Sequence, residues 1–190
     1  DNINFGGLPT TAGSFLLKDN IAEDSFVVKK LKESGAIVLG KTNLSEWAYY
    51  FCKGCPLGYS AIGGQTLNPY GRKVFESGGS SSGSGVAISA NFSSISLGSE
   101  TSGSIISPSS LNSIVGLKPT IGLVSRTGIV PISSTLDTAG PMTKNVIDNA
   151  IVFNSIMGYD NEDDYSKERI IIDYEKISNS TIKGKKLGLL

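Results

Sequence analysis

Serine and glycine are concentrated in two short runs, Ser77-Gly-Gly-Ser80-Ser-Ser-Gly-Ser-Gly85 and Gly98-Ser-Glu-Thr-Ser-Gly-Ser104-Ile105. A Gly-Gly-Ser turn lets backbone donors approach a ligand with no Cβ in the way. Along Thr101-Ser102-Gly103-Ser104, between an expected strand and an expected helix, successive N–H groups can converge on one point as an anion nest or oxyanion hole. A serine closing that run presents its hydroxyl beside those donors. Acyl transfer requires this arrangement: a nucleophile and oxyanion donors within about 3 Å of one carbonyl. The chain contains no histidine, so a Ser-His or Cys-His relay is excluded, and lysine is the natural base. The competing reading of both runs is structural, since loops and helix caps are where serine and glycine most often serve.

The elements that would hold these runs are legible from periodicity. Residues 24–34 read as an amphipathic helix with Phe26, Val27, Val28 and Leu31 on one face and Gly35 as its C-terminal stop. Ala36–Leu39 is a short apolar run, best read as a buried parallel strand. Asn43, with Glu46 three residues on, has the form of a capping box for a second helix. Residues 52–82 look irregular. Residues 83–92 suggest a helix of small residues, Ser94–Leu97 a strand, Ile105–Asn112 a short helix, Ile114–Leu117 a strand, and Lys144–Met157 a helix. Residues 158–183 are read as surface-wrapping, and Lys186–Leu190 as the opening of another strand. Helix, strand and helix in quick succession indicate an α/β architecture.

Composition narrows the function classes. Lys+Arg and Asp+Glu both number 17 in 190 residues, so no basic stripe points to a nucleic acid. No apolar run approaches the length of a membrane span. Cys52 and Cys55 form one C-x-x-C pair, too few ligands for a tetrahedral zinc site without histidine. They are read as packing thiols, with a redox pair as the alternative. The low cysteine count fits a reducing compartment, so the cytoplasm is the expected location. The start at Asp1-Asn2-Ile3 decides nothing about targeting. Gly35-Ala-Ile-Val-Leu-Gly-Lys41-Thr42 matches the phosphate-binding pattern G-x-x-x-x-G-K-[ST], but a helix precedes it and Ala-Ile-Val-Leu occupies what should be a flexible turn. Phosphate binding is therefore rejected.

Several segments, in order along the chain, resemble the amidase signature family: Pro9-Thr-Thr-Ala-Gly-Ser14, Gly35 to Ala48, Gly78-Gly-Ser-Ser81, Gly98 to Ile105, Gly116-Leu-Lys-Pro-Thr120 and Asp137-Thr-Ala-Gly-Pro-Met142. The resemblance implies a large, mixed, twisted β-sheet flanked by helices, incomplete in this chain. Residues 1–190 would form part of a single such domain, with the core signature at about 35–142 and no second domain. It implies hydrolysis of carboxamide bonds by a Ser-Ser-Lys relay without a cofactor. The nucleophile would be Ser104, the bridging serine on a cis peptide Ser80, and the oxyanion donors the backbone of Thr101, Ser102, Gly103 and Ser104. The family's lysine would stand immediately before Asp1, so residues 1–190 alone are expected to show little or no turnover. Lys18, in an imitation of that lysine's element, is read as a surface residue. Ser82 stands where the family's turn usually has glycine, and Ile106 where many relatives have arginine. The expected partner is a small-molecule or peptide amide, with oligomeric state left open, a homo-oligomer included. The alternatives are a non-catalytic small-ligand domain of the same fold and the amidotransferase subunit for glutaminyl-tRNA formation.

Overall fold

The computed structural model of this chain describes residues 1–186 and 188. The described residues form five α-helices: α1 (Phe26–Glu33), α2 (Ser82–Ser89), α3 (Ile106–Leu111), α4 (Val146–Ile156) and α5 (Tyr174–Ser178). They form five strands: β1 (Tyr59–Ser60), β2 (Gly64–Gln65), β3 (Ile95–Glu100), β4 (Val115–Gly116) and β5 (Thr138–Thr143). The architecture is α/β, as expected. Within the described residues the main sheet has the order β3-β5-β4, and both of its ladders are antiparallel. β1 and β2 form a separate small hairpin. No helix among the described residues is long and apolar enough to cross a membrane.

The core follows from the amphipathic helices. Ser25 caps α1 by accepting the Val28 N–H, and Asn145 caps α4 by accepting the Asp148 N–H, which satisfies donors that a helix N-terminus leaves open. Val27 and Leu31 of α1 then meet Val152, Phe153 and Ile156 of α4, with Ala139 of β5 and Val124, in one buried cluster. Ile95 and Leu97 of β3 pack against it. Burying such side chains contributes about 1.5–3 kcal/mol each.

On the sheet, two glycines permit a close approach. Gly98 of β3 and Gly140 of β5 are direct cross-strand partners. A Cβ on Gly140 would sit 2.1 Å from the Leu117 carbonyl oxygen and 3.1 Å from Ile105. One on Gly98 would meet Met142 at 2.8 Å and Ile105 at 3.0 Å. Ile105, fully buried, thus rests on a floor that only glycine provides, and it carries its neighbour Ser104 with it. Gly140→Ala is expected to cost about 2–3 kcal/mol through overpacking against rigid backbone, measurable as a lowered denaturation midpoint.

Three sequence expectations need correction. Ala36–Leu39 is not a strand: it has no regular structure and no ladder partner among the described residues, and Ile37 and Leu39 are 86% and 75% exposed. Asn43 and Glu46 do not cap a helix. Residues Glu46–Tyr49 make a short turn in which Trp47, Ala48 and Tyr49 have φ of 51°, 52° and 70°, which no continuing right-handed helix tolerates. The Asn43 amide instead donates to Gly58 O, Gly64 O and Thr66 Oγ1, and Glu46 accepts the Ala61 N–H at 2.8 Å. Both side chains are spent on the β1–β2 region. Cys52 and Cys55 are joined as a disulfide, not separate thiols, because the turn at Gly54 (φ 87°) brings their Cα atoms to 5.7 Å, within bridging range. Strands β1, β2 and β5 and the short helix α5 have no counterpart among the expected elements. The other helix and strand expectations hold to within a few residues, and Lys186–Leu190 reaches beyond the described residues.

Candidate active site

The two serine runs meet at one end of β3. Ser80 and Ser104 line the same cleft, of about 330 Å³. The Ser81 N–H donates to the Ser104 carbonyl at 3.1 Å, and Ser81 Oγ bridges to β3, donating to Ser99 O (3.1 Å) and accepting from Ser99 N (3.0 Å). The Gly79–Ser80 peptide is cis. The turn is packed from behind. Gly78 has φ 66°, and a Cβ there would lie 2.8 Å from Pro108 Cα of α3. Ser82, the residue standing in a glycine's place, is fully buried and donates to Gly78 O at 2.6 Å. Its hydroxyl therefore closes the turn instead of facing the cleft.

Ser104 is held by a residue that sequence reasoning did not single out. Glu100, at the end of β3 and 5% exposed, accepts three backbone N–H groups. Gly103 donates to Oε1 (2.8 Å), and Ile105 (2.7 Å) and Ile106 (3.0 Å) donate to Oε2. One carboxylate thus clamps both sides of Ser104 and satisfies the first N–H groups of α3, which has no side-chain cap of its own. Of the four backbone groups expected as oxyanion donors, the Gly103 N–H is bonded to Glu100. The N–H groups of Thr101, Ser102 and Ser104 have no protein acceptor among the described residues, and Thr101 and Ser104 line the cleft. Thr101 is fixed through its hydroxyl, which donates to Asp137 Oδ1 at 2.5 Å, while Asp137 Oδ2 accepts from Ile132 N (2.7 Å) and Ser133 N (2.9 Å). Ile106 is half exposed and contributes its N–H to Glu100. Lys18 is a surface residue paired loosely with Asp19 at 3.9 Å.

The chain matches the amidase family, described as Amidase, over residues 1–190. It belongs to that family. Among curated relatives, a probable amidase of Arabidopsis thaliana is 48% identical over 189 residues, covering 96% of this chain and 37% of that protein. A glutamyl-tRNA(Gln) amidotransferase subunit from Rippkaea orientalis is 44% identical over 191 residues, covering 100% of this chain and 38% of that one. Among solved structures, the native peptide amidase of Stenotrophomonas maltophilia superposes with a TM-score of 0.85 at 51% identity, over 87% of this chain and 34% of that one. The chain spans little more than a third of the length of the relatives it matches. The resemblance and the α/β architecture read from sequence are therefore those of the family.

The far wall of this amidase-family cleft includes Arg126 and Asp163. The Arg126 guanidinium donates to both carboxylate oxygens of Asp163, with Nε at 2.9 Å from Oδ2, and the Arg126 N–H reaches the same Oδ2 at 2.9 Å. These hydrogen bonds hold the Asp163 carboxyl down at about 2. A carboxylate whose folded value lies below its unfolded one adds stability above the unfolded value, near 4, that is lost as pH falls through the folded value. The expected result is a melting temperature that drops between about pH 4 and pH 2, with a shallower drop in Asp163→Asn. At neutral pH that variant should cost about 2–3 kcal/mol, because a largely buried guanidinium is left without its counter-charge.

Proposed function

We propose that this chain supplies the serine half of an enzyme that hydrolyses carboxamide bonds, with Ser104 as nucleophile and Ser80 as the proton-relaying serine. The observation that carries the reading is that the two hydroxyl-bearing turns converge on one cleft, which Thr101 also lines, beside backbone N–H groups of Thr101 and Ser104 that have no protein acceptor among the described residues. Membership of the amidase family and likeness to a peptide amidase support it. In this reading a neutral lysine, at the position before Asp1, accepts a proton through Ser80 while Ser104 Oγ bonds to the amide carbon. The carbonyl oxygen takes the negative charge against the N–H groups of Thr101, Ser102 and Ser104, the Gly103 N–H being held by Glu100. Collapse of the tetrahedral intermediate breaks the C–N bond, the relay returns the proton to the departing amine or ammonia, and water hydrolyses the ester by the reverse route. A lysine of ordinary pKa near 10.4 must be lowered by burial to act as base at neutral pH.

The experiment is active-site labelling of the full-length protein with a fluorophosphonate, which esterifies an activated serine. The adduct is expected on Ser104. Labelling elsewhere, or undiminished labelling of Ser104→Ala, overturns the assignment. A second reading, the amidotransferase component for glutaminyl-tRNA formation, is favoured by the 44% identity over the whole chain with such a protein. The two separate by assay: ammonia release from a simple carboxamide by the isolated protein supports the free-standing amidase. Activity that requires co-purifying partners supports the other.

A further inference from the structure

We infer that Lys41, with Asp1, is a positioning pair that sets the gap between the residue preceding Asp1 and the Ser80 turn, an inference resting on the function proposed above. Lys41 is the lysine of the rejected phosphate-binding pattern, and its side chain is only 12% exposed. Its ammonium meets three oxygens of the N-terminal segment: Asp1 Oδ1 at 2.8 Å, Pro9 O at 2.8 Å and Thr10 Oγ1 at 2.5 Å. Burial lowers its pKa to about 8, and the Asp1 carboxylate beside it favours the charged form.

Asp1 is gripped at each polar position. Its backbone nitrogen donates to Thr42 O (2.9 Å), its carbonyl accepts from Ala12 N (2.9 Å), and its second carboxylate oxygen accepts from the Thr11 hydroxyl. The residues following Lys41 are bonded in turn to the serine turn. Thr42 Oγ1 and Ser84 Oγ are 3.0 Å apart, Gly83 N donates to Asn43 O at 3.0 Å, and Ser45 N donates to Ser80 O at 3.0 Å. Gly83 admits this contact only because it lacks a Cβ, which would lie 2.5 Å from Asn43 O. A second tie runs from Asn2, whose amide donates to Ser99 Oγ at 2.6 Å, to the strand that ends in the Ser104 turn. Residues 41–45 therefore act as a bar between the start of the chain and Ser80. The Lys41–Asp1 ion pair is the charged end of that bar. A charge pair suits this place because a largely buried carboxylate left alone either protonates or turns toward water, and both move the backbone preceding it. A displacement of about 1 Å in a catalytic group can cost about 10²-fold in rate.

The test uses full-length protein carrying Lys41→Met, Asp1→Asn, the double variant, and Lys41→Arg. Steady-state kinetics on a carboxamide and the rate of fluorophosphonate labelling are measured well below each variant's melting temperature. Lys41→Met is expected to lower kcat by about 10- to 10²-fold with KM changed less than about 3-fold, and to slow labelling of Ser104 in parallel. The double variant is expected to lose less than the product of the two single losses, and Lys41→Arg to recover part of the rate. A folded Lys41→Met with wild-type kcat and labelling rate overturns the inference, as does a loss confined to melting temperature. Should Lys41→Met not fold, an unchanged kcat in both Asp1→Asn and Lys41→Arg overturns it equally. Failure of the underlying function would look different, since wild-type protein itself would then not label on Ser104.

Discussion

Ser104→Ala in the full-length protein is expected to reduce kcat/KM toward a carboxamide by about 10⁴-fold or more, while leaving the melting temperature within about 2 °C. The magnitude follows from removing the proposed nucleophilic oxygen, for which no other group would substitute. The small stability effect follows from where the side chain lies. Ser104 borders the cleft, and the interactions that hold its turn are made by its backbone carbonyl, through Ser81, and by the Glu100 clamp around it. A lost burst of amine release together with lost fluorophosphonate labelling would identify the defect as chemistry. Retention of more than about a tenth of the activity would exclude Ser104 as nucleophile. Ser80→Ala should be less severe in binding but comparable in chemistry, because the relay loses its link while the cleft keeps its shape.

The second large effect is expected at Glu100, a residue that touches no substrate in the proposed mechanism. Glu100→Ala removes the acceptor of three backbone N–H groups at once. Leaving even one buried donor unsatisfied costs about 1–3 kcal/mol, so a loss of several kcal/mol is expected from this one change. The Gly103 N–H would also be released, and the backbone that carries the proposed oxyanion donors on either side of it would lose its anchor. The expected fall in kcat/KM is about 10²- to 10³-fold, mostly in kcat, since oxyanion contacts matter most in the transition state. Glu100→Gln separates the two roles. It keeps one acceptor oxygen, so it should recover much of the stability but little of the rate if both oxygens are needed to set the turn. Equal kcat in Glu100→Gln and wild type would reduce Glu100 to a cap for α3. Differential scanning calorimetry alongside single-turnover kinetics reads both quantities.

Glu100 also shows why part of the site could not be read in advance. It stands within Gly98-Ser-Glu-Thr-Ser-Gly-Ser104, yet nothing local says whether a carboxylate at the end of a strand points to solvent or curls back under the next turn. The choice depends on Ile105 descending onto Gly98 and Gly140, and Gly140 lies far along the chain. Asp137 is similar: its grip on Thr101 joins two segments that local periodicity treats as unrelated. β5 was missed for a different reason. Thr138-Ala-Gly-Pro-Met-Thr143 carries the proline and glycine that mark loops. It is nonetheless the middle strand, buried at all six positions. Pro141 has no N–H to give, and the β4 side of the ladder ends one residue short of it, at the Gly116–Met142 pair.

The opposite error occurred at Ala36–Leu39, where four apolar residues in a row suggested a buried strand. Apolar sequence states a preference for burial, not the presence of a partner, and Ile37 and Leu39 find none among the described residues. The Lys41-Thr42 pair that follows resembles a phosphate site by spelling alone; its ammonium is spent on Asp1, Pro9 and Thr10.

By itself the amino-acid sequence determined the helices α1, α2, α3 and α4, because their apolar spacing and flanking turn residues are local properties governed by 3.6-residue periodicity and backbone sterics. The two Ser/Gly runs were equally legible, because their composition is a local property of the sequence. What only the tertiary structure decided was which groups share a cleft: Ser80 with Ser104, Glu100 under both sides of the latter, and Asp1 bound to Lys41. These are contacts between segments distant in sequence. They exist because glycines on neighbouring strands let a helix and two loops close to within hydrogen-bond length, and no window of sequence contains both sides of such a contact.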